Sequence, residues 1–196
     1  SLASIGDIDT RNIEIIEVHE EDWANTWKQY YQPINVDPPL VIVPAWQDYP
    51  EQPDRKIVRM DPGMAFGTGT HATTYLCLEA LQRLLNPGDR VLDVGTGSGI
   101  LAIAAALLGA SRVMAIDIDP GAVRVARENV LLNEVHDRVE VRQADPGEMA
   151  AAEPQGADLL LANLTSDIIR ETAGDLRACL AQRGRFVVSG FVENGQ

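Results

Sequence analysis

The chain has 196 residues with a formal net charge of −13, 45% hydrophobic and 23% charged residues. This is ordinary globular composition, and it excludes collagenous, low-complexity and disordered classes. No Lys/Arg run is present; the densest basic stretch is Arg124 to Arg127. So acidic a chain is repelled by phosphate backbones, and direct nucleic-acid binding is disfavoured. The charge serves solubility or suits a basic protein partner.

The two cysteines, Cys77 and Cys179, sit in separate apolar patterns, and no zinc spacing exists. The longest apolar run, 100–108, is too short for a membrane span. Residues 1–10 lack the basic region and apolar core of a signal peptide. The expectation is a soluble cytoplasmic protein with no membrane partner and no metal.

In chain order, residues 1–60 stand apart. Prolines 33, 38, 39, 44, 50 and 53, all three tryptophans and three of the four tyrosines lie there. This reads as a linker with short elements packed on a neighbouring surface. Trp23 and Trp27 share a helical face, which suits packing. From about residue 60 the pattern becomes α/β. Helical spacing predicts a helix over 73–85, ended by Asn86-Pro87-Gly88-Asp89. A buried strand follows at 90–94, then an all-apolar helix at 100–108 ended by Gly109. The second strand is 113–118. The next helix is 120–132, with Asp119 as its cap and Pro120 in its first turn. Strands at 139–144 and 157–162, a helix at 168–180 and a fifth strand at 184–189 complete the pattern. Strands alternating with helices imply a doubly wound parallel sheet.

The first of these strands ends in Asp93-Val94 and runs into Gly95-Thr96-Gly97-Ser98-Gly99 before a helix. Strand, glycine loop and helix together give such a motif meaning. A dinucleotide fingerprint reads GxGxxG, but Ile100 stands where its third glycine belongs. Asp93, just ahead of the loop, repels a pyrophosphate and favours a cationic ligand such as S-adenosylmethionine. Asp117, ending the second strand, suits the ribose hydroxyls of either cofactor.

Four segments decide between them: DPGMAFGTGTHATT (61–74), VLDVGTGSGILAIAAALLGA (91–110), AIDIDP (115–120) and ANL (162–164). With EDWANTWKQYYQPI (21–34), they resemble the ribosomal protein L11 methyltransferase family over roughly residues 18–192. The AFGTGTH stretch is the specific one. The resemblance implies a Rossmann-like class I fold that uses S-adenosylmethionine to methylate lysine side chains and an α-amino group of ribosomal protein L11. It implies that Phe66 and Thr74 contact the cofactor, Gly95 and Gly97 underlie its methionine part, and Asp117 holds its ribose. Asn163 then faces the transferring methyl as the orienting catalytic residue. His71 is the alternative base, or else a stabiliser of its loop; His19 and His136 read as surface residues. Asp145 serves either the adenine or a turn. By the same resemblance, residues 1–20 are a remnant of a substrate-recognition domain, 21–60 a linker and 61–196 a catalytic domain lacking its last two strands. The competing readings are a methyltransferase for another amine or a nucleic-acid base, and a cofactor-binding fragment without substrate recognition.

Overall fold

The computed structural model divides the chain into two compact units, Ser1–Gln32 and Pro33–Gln196. It describes residues 32–61 and 71–190, so the account below concerns the second unit. Three strands lie in the part read as a linker: β1 (Ile34–Asn35), β2 (Leu40–Pro44) and β3 (Lys56–Met60). They form one small sheet, with β1 antiparallel to β2 and β2 parallel to β3. The short elements expected here are strands despite the prolines. Pro39 and Pro44 bracket the apolar run of β2, where neither interrupts its interior. Val36, Leu40, Ile42, Val58 and Met60 are buried in the same core as the main sheet's residues.

The rest is a doubly wound α/β unit. Helices α1 (Ala72–Leu84), α2 (Ile100–Leu107), α3 (Pro120–Leu132), α4 (Pro146–Ala152) and α5 (Ser166–Cys179) alternate with the strands. These strands are β4 (Arg90–Val94), β5 (Arg112–Asp117), β6 (Val139–Gln143), β7 (Ala157–Asn163) and β8 (Leu180–Ser189). Their order is β6-β5-β4-β7-β8, and all pairs are parallel.

Strand alternation sorts the core into two layers. Val91, Val113, Ala115, Leu159 and Leu161 point to the face covered by α1, α2, α3 and the small sheet. Leu92, Met114, Ile116, Leu160 and Ala162 point to the face where Met149 of α4 and Leu176 of α5 pack. Helix α2 is apolar on every side because Ile100 through Ala106 are all buried. Asp119 caps α3 by accepting from the Gly121 amide, as the sequence implied. Successive strands run outward from β4 through β5 to β6, and the chain then crosses back to β7 beside β4. That reversal opens a crevice at the strands' carboxyl ends. No helix among the described residues is long and apolar enough to cross a membrane.

Candidate active site

A cavity of about 410 Å³ occupies this crevice, within the range of small-molecule sites. Thr74, Gly95, Gly97, Asp117 and Asn163 all line it. These positions come from α1, the β4–α2 loop and the ends of β5 and β7. Phe66 lies outside the described residues.

The glycine loop is held tightly from within. Gly95, Gly97 and Gly99 have φ of 67°, 55° and 85°, the left-handed region open to glycine. The amides of Gly95 and Thr96 donate to the Ile116 carbonyl at 2.9 and 3.0 Å. The Gly97 amide donates to Oδ2 of Asp117 at 2.9 Å, and that of Gly99 to the Thr96 carbonyl at 2.9 Å. Four loop amides therefore already serve protein acceptors. A pyrophosphate needs such amides, and these four are engaged beside the Asp117 carboxylate, so the loop geometry favours a ligand without phosphate.

Asp117 also accepts from the Asp119 amide, through Oδ1 at 3.0 Å. Each carboxylate oxygen keeps a further lone pair, enough for a pair of vicinal hydroxyls. Beside it, Ile118 is 71% exposed and offers an apolar wall. With Ala144, Leu164 and Ile168 it gives the cavity a largely apolar lining. Sequence reasoning missed these residues; the one available signal was an isoleucine between two acids directly after a strand.

Asp93 is a correction. Expected beside the ligand, it is 1% exposed and absent from the cavity wall. Alternation along β4 turns it with Val91 toward the face covered by α1, α2 and α3, while Val94 faces the cavity. Its Oδ2 accepts from the Thr96 hydroxyl at 2.6 Å, and its Oδ1 is buried without a hydrogen bond. Burial pushes its pKa up to about 7 against the lowering effects of Thr96 and the Ala102 amide, with Asp117 adding a small rise. Asp93 therefore braces the loop from beneath.

Asn163 ends β7, and its Nδ2 donates to Oγ1 of Thr74 at 3.3 Å. Thr74, 1% exposed in the first turn of α1, is fixed by packing. With Nδ2 committed, Oδ1 is the acceptor that Asn163 has to offer.

His71 caps α1: its Nδ1 accepts from the Thr73 amide at 3.3 Å and lies 2.7 Å from the Thr73 hydroxyl. Asp145 forms a capping box with Glu148 at the start of α4, so it serves the turn. Its neighbours Ala144 and Pro146 line the cavity in its place. Cys77 and Cys179 are buried free thiols, and burial pushes Cys77 up to about 11.

The sheet order, the crevice at its switch point and an acid ending the second strand from the glycine loop define a class I S-adenosylmethionine-dependent methyltransferase fold. The family model described as ribosomal protein L11 methyltransferase matches residues 2–196. The chain belongs to that family. It is 50% identical over 182 residues to the ribosomal protein L11 methyltransferase of Caldicellulosiruptor saccharolyticus, covering 93% of this chain and 58% of the relative. The Bacillus cytotoxicus relative of the same name is 49% identical over 187 residues, covering 95% and 59%. Among solved structures, ribosomal protein L11 methylase from Lactobacillus delbrueckii subsp. bulgaricus superposes with a TM-score of 0.73 at 38% identity, covering 82% of this chain and 81% of that one. The chain thus spans less than two thirds of the length of these curated relatives.

Proposed function

We propose that this chain is the catalytic part of an enzyme that methylates amino groups of ribosomal protein L11, on lysine side chains and the α-amine. The observation that supports this most is the placing of Asn163, Thr74 and Asp117 around one apolar cavity at the switch point. When bound, S-adenosylmethionine supplies an electrophilic methyl on a sulfonium centre.

The protein's own contribution is binding, orientation and exclusion of water. Asp117 would accept hydrogen bonds from ribose hydroxyls, Gly95 and Gly97 would hold the methionine part, and Thr74, with Phe66 of the same signature segment, would contact the cofactor. Lysine has an unperturbed pKa of about 10.4, so about one part in 10³ is neutral near pH 7. An apolar lining disfavours the ammonium form and lowers that pKa by up to roughly 3–5 pH units. Desolvation beside a cationic cofactor therefore provides the neutral amine. Oδ1 of Asn163 would accept an N–H from that amine and orient its lone pair; as the N–C bond forms the S–C bond breaks, leaving the neutral thioether, and the amine's proton passes to solvent. No residue acts as an obligate base; His71 is engaged as a helix cap.

The test is incubation of the protein with S-adenosylmethionine and ribosomal protein L11, followed by peptide mass spectrometry of the substrate. Methyl additions on lysines and the α-amine support the proposal. An unmodified substrate in the presence of bound cofactor overturns it.

A further inference from the structure

Two asparagines at the end of α3, Asn129 in its last turn and Asn133 as its C-cap, reach across to β3. Among the described residues β3 is an edge strand, paired only to β2. On its open side, the Arg59 amide donates to Oδ1 of Asn133 at 2.8 Å, and Nδ2 of Asn133 donates back to the Arg59 carbonyl at 2.7 Å. Two residues on, the Asp61 amide donates to Oδ1 of Asn129 at 2.9 Å, and Nδ2 of Asn129 donates to the Asp61 carbonyl at 3.1 Å. The side-chain amides thus imitate a neighbouring strand. The spacing fits: four helical residues rise about 6 Å, and two strand residues about 6.6 Å.

The third bond of each side chain differs: Nδ2 of Asn133 donates back to the Asn129 carbonyl at 2.8 Å, whereas Asn129 reaches out of the helix. Its Nδ2 also donates to the Ser98 carbonyl, in the glycine loop, at 2.9 Å. Asn129 is 1% exposed, so these bonds act away from water. One helical turn away, Ala126 packs under Gly99, where a Cβ would meet its backbone and side chain at 3.3 Å. Helix α3 therefore grips the loop at two successive residues. Asp61 is also the first residue of the DPGMAFGTGTHATT segment.

We propose that Asn129 is a positioning residue for the cofactor, locking the glycine loop to the end of β3, whereas Asn133 holds only the strand. This rests on the methyltransferase reading above. Losing Asn129 lets Ser98 and Asp61 move independently, and the loop then presents Gly97, and through its hydrogen bond Asp117, to the cofactor in a wider range of geometries. Losing Asn133 leaves the loop untouched.

The test compares Asn129→Ala and Asn133→Ala in the full chain by calorimetric titration with S-adenosylmethionine, with circular dichroism to verify folding. The expected result is a Kd raised about tenfold or more for Asn129→Ala and by less than about threefold for Asn133→Ala. Equal effects of the two, or a wild-type Kd for Asn129→Ala, overturn the inference. Should Asn129→Ala not fold, amide hydrogen exchange of the wild type decides. Saturation with S-adenosylhomocysteine is expected to slow exchange at the Asp61 amide more than at Arg59, and an unchanged Asp61 rate overturns the inference. Absence of binding by the wild type overturns the methyltransferase reading and this inference with it. Binding by the wild type and equally by Asn129→Ala overturns this inference alone.

Discussion

The Gly97 amide and the Asp117 carboxylate, 20 residues apart in the chain, are joined by a hydrogen bond of 2.9 Å. The bond ties the glycine loop to the end of the neighbouring strand and turns the loop's inner amide away from anions. It also holds the carboxylate that faces the cavity. Shape and charge preference thus have one cause.

Removing that carboxylate is the first prediction. Asp117→Ala orphans the amides of Gly97 and Asp119 and deletes the acceptor for the ribose. A charge-assisted hydrogen bond contributes about 1.5–3 kcal/mol. The expected outcome is S-adenosylmethionine binding weakened about 10- to 100-fold, read by calorimetry on folded protein. Wild-type affinity would deny Asp117 its role.

Asn163→Ala separates orientation from binding. The variant loses the Oδ1 acceptor and the contact with Thr74. Misorientation of a reacting group lowers rates by up to about 100-fold. The single-turnover methyl-transfer rate is expected to fall about 10- to 100-fold while the Kd for S-adenosylmethionine stays within about threefold. A normal rate would remove Asn163 from the mechanism.

Asp93 makes stability depend on pH. Its folded pKa, about 7, lies above the ordinary carboxylate value of 3.8. The folded state therefore holds the proton more tightly than the unfolded state. The stabilisation from that proton is complete below about pH 4 and is lost as pH rises to about 7. Asp93→Asn keeps an acceptor for the Thr96 hydroxyl and carries no charge. Chemical denaturation from pH 4 to pH 8 is expected to show wild type losing stability relative to Asp93→Asn, by a few kcal/mol at about 1.4 kcal/mol per pH unit. Parallel curves would mean that Asp93 does not titrate in this range.

Gly190 follows β8 with φ of 100°, and a Cβ there would collide with the Leu164 carbonyl oxygen. Backbone must move to admit it, and Leu164 is the neighbour of Asn163. Gly190→Ala is expected to destabilise the fold by at least about 1–3 kcal/mol, and to slow methyl transfer, measured by denaturation and by the single-turnover assay. Wild-type values for both would show that the close approach is dispensable.

Much of the α/β unit is legible in the sequence because burial and periodicity agree there. Helix α3 starts at Pro120 behind the Asp119 cap and ends at Leu132, as the pattern implied. Strand β7 shows as a run of apolar residues because both its faces are covered. Residues 33–60 were harder. Prolines mask β2, although its residues Leu40 to Pro44 are buried throughout. Asp93 was misread because its position beside the loop says nothing about which face of β4 it occupies. The roles of Asn129 and Asn133 were invisible: two polar residues four apart at a helix end resemble a surface pair, and their partners, Arg59 of β3 and Asp61 just after it, lie about 70 residues away.

The most direct test of the central claim is a calorimetric titration of the wild-type protein with S-adenosylmethionine and, separately, with NAD. The account predicts saturable binding of S-adenosylmethionine and none of NAD, because Asp117 offers its carboxylate to a ribose and the loop amides that a pyrophosphate would use already serve protein acceptors. Binding of NAD, or no binding of S-adenosylmethionine, would contradict it.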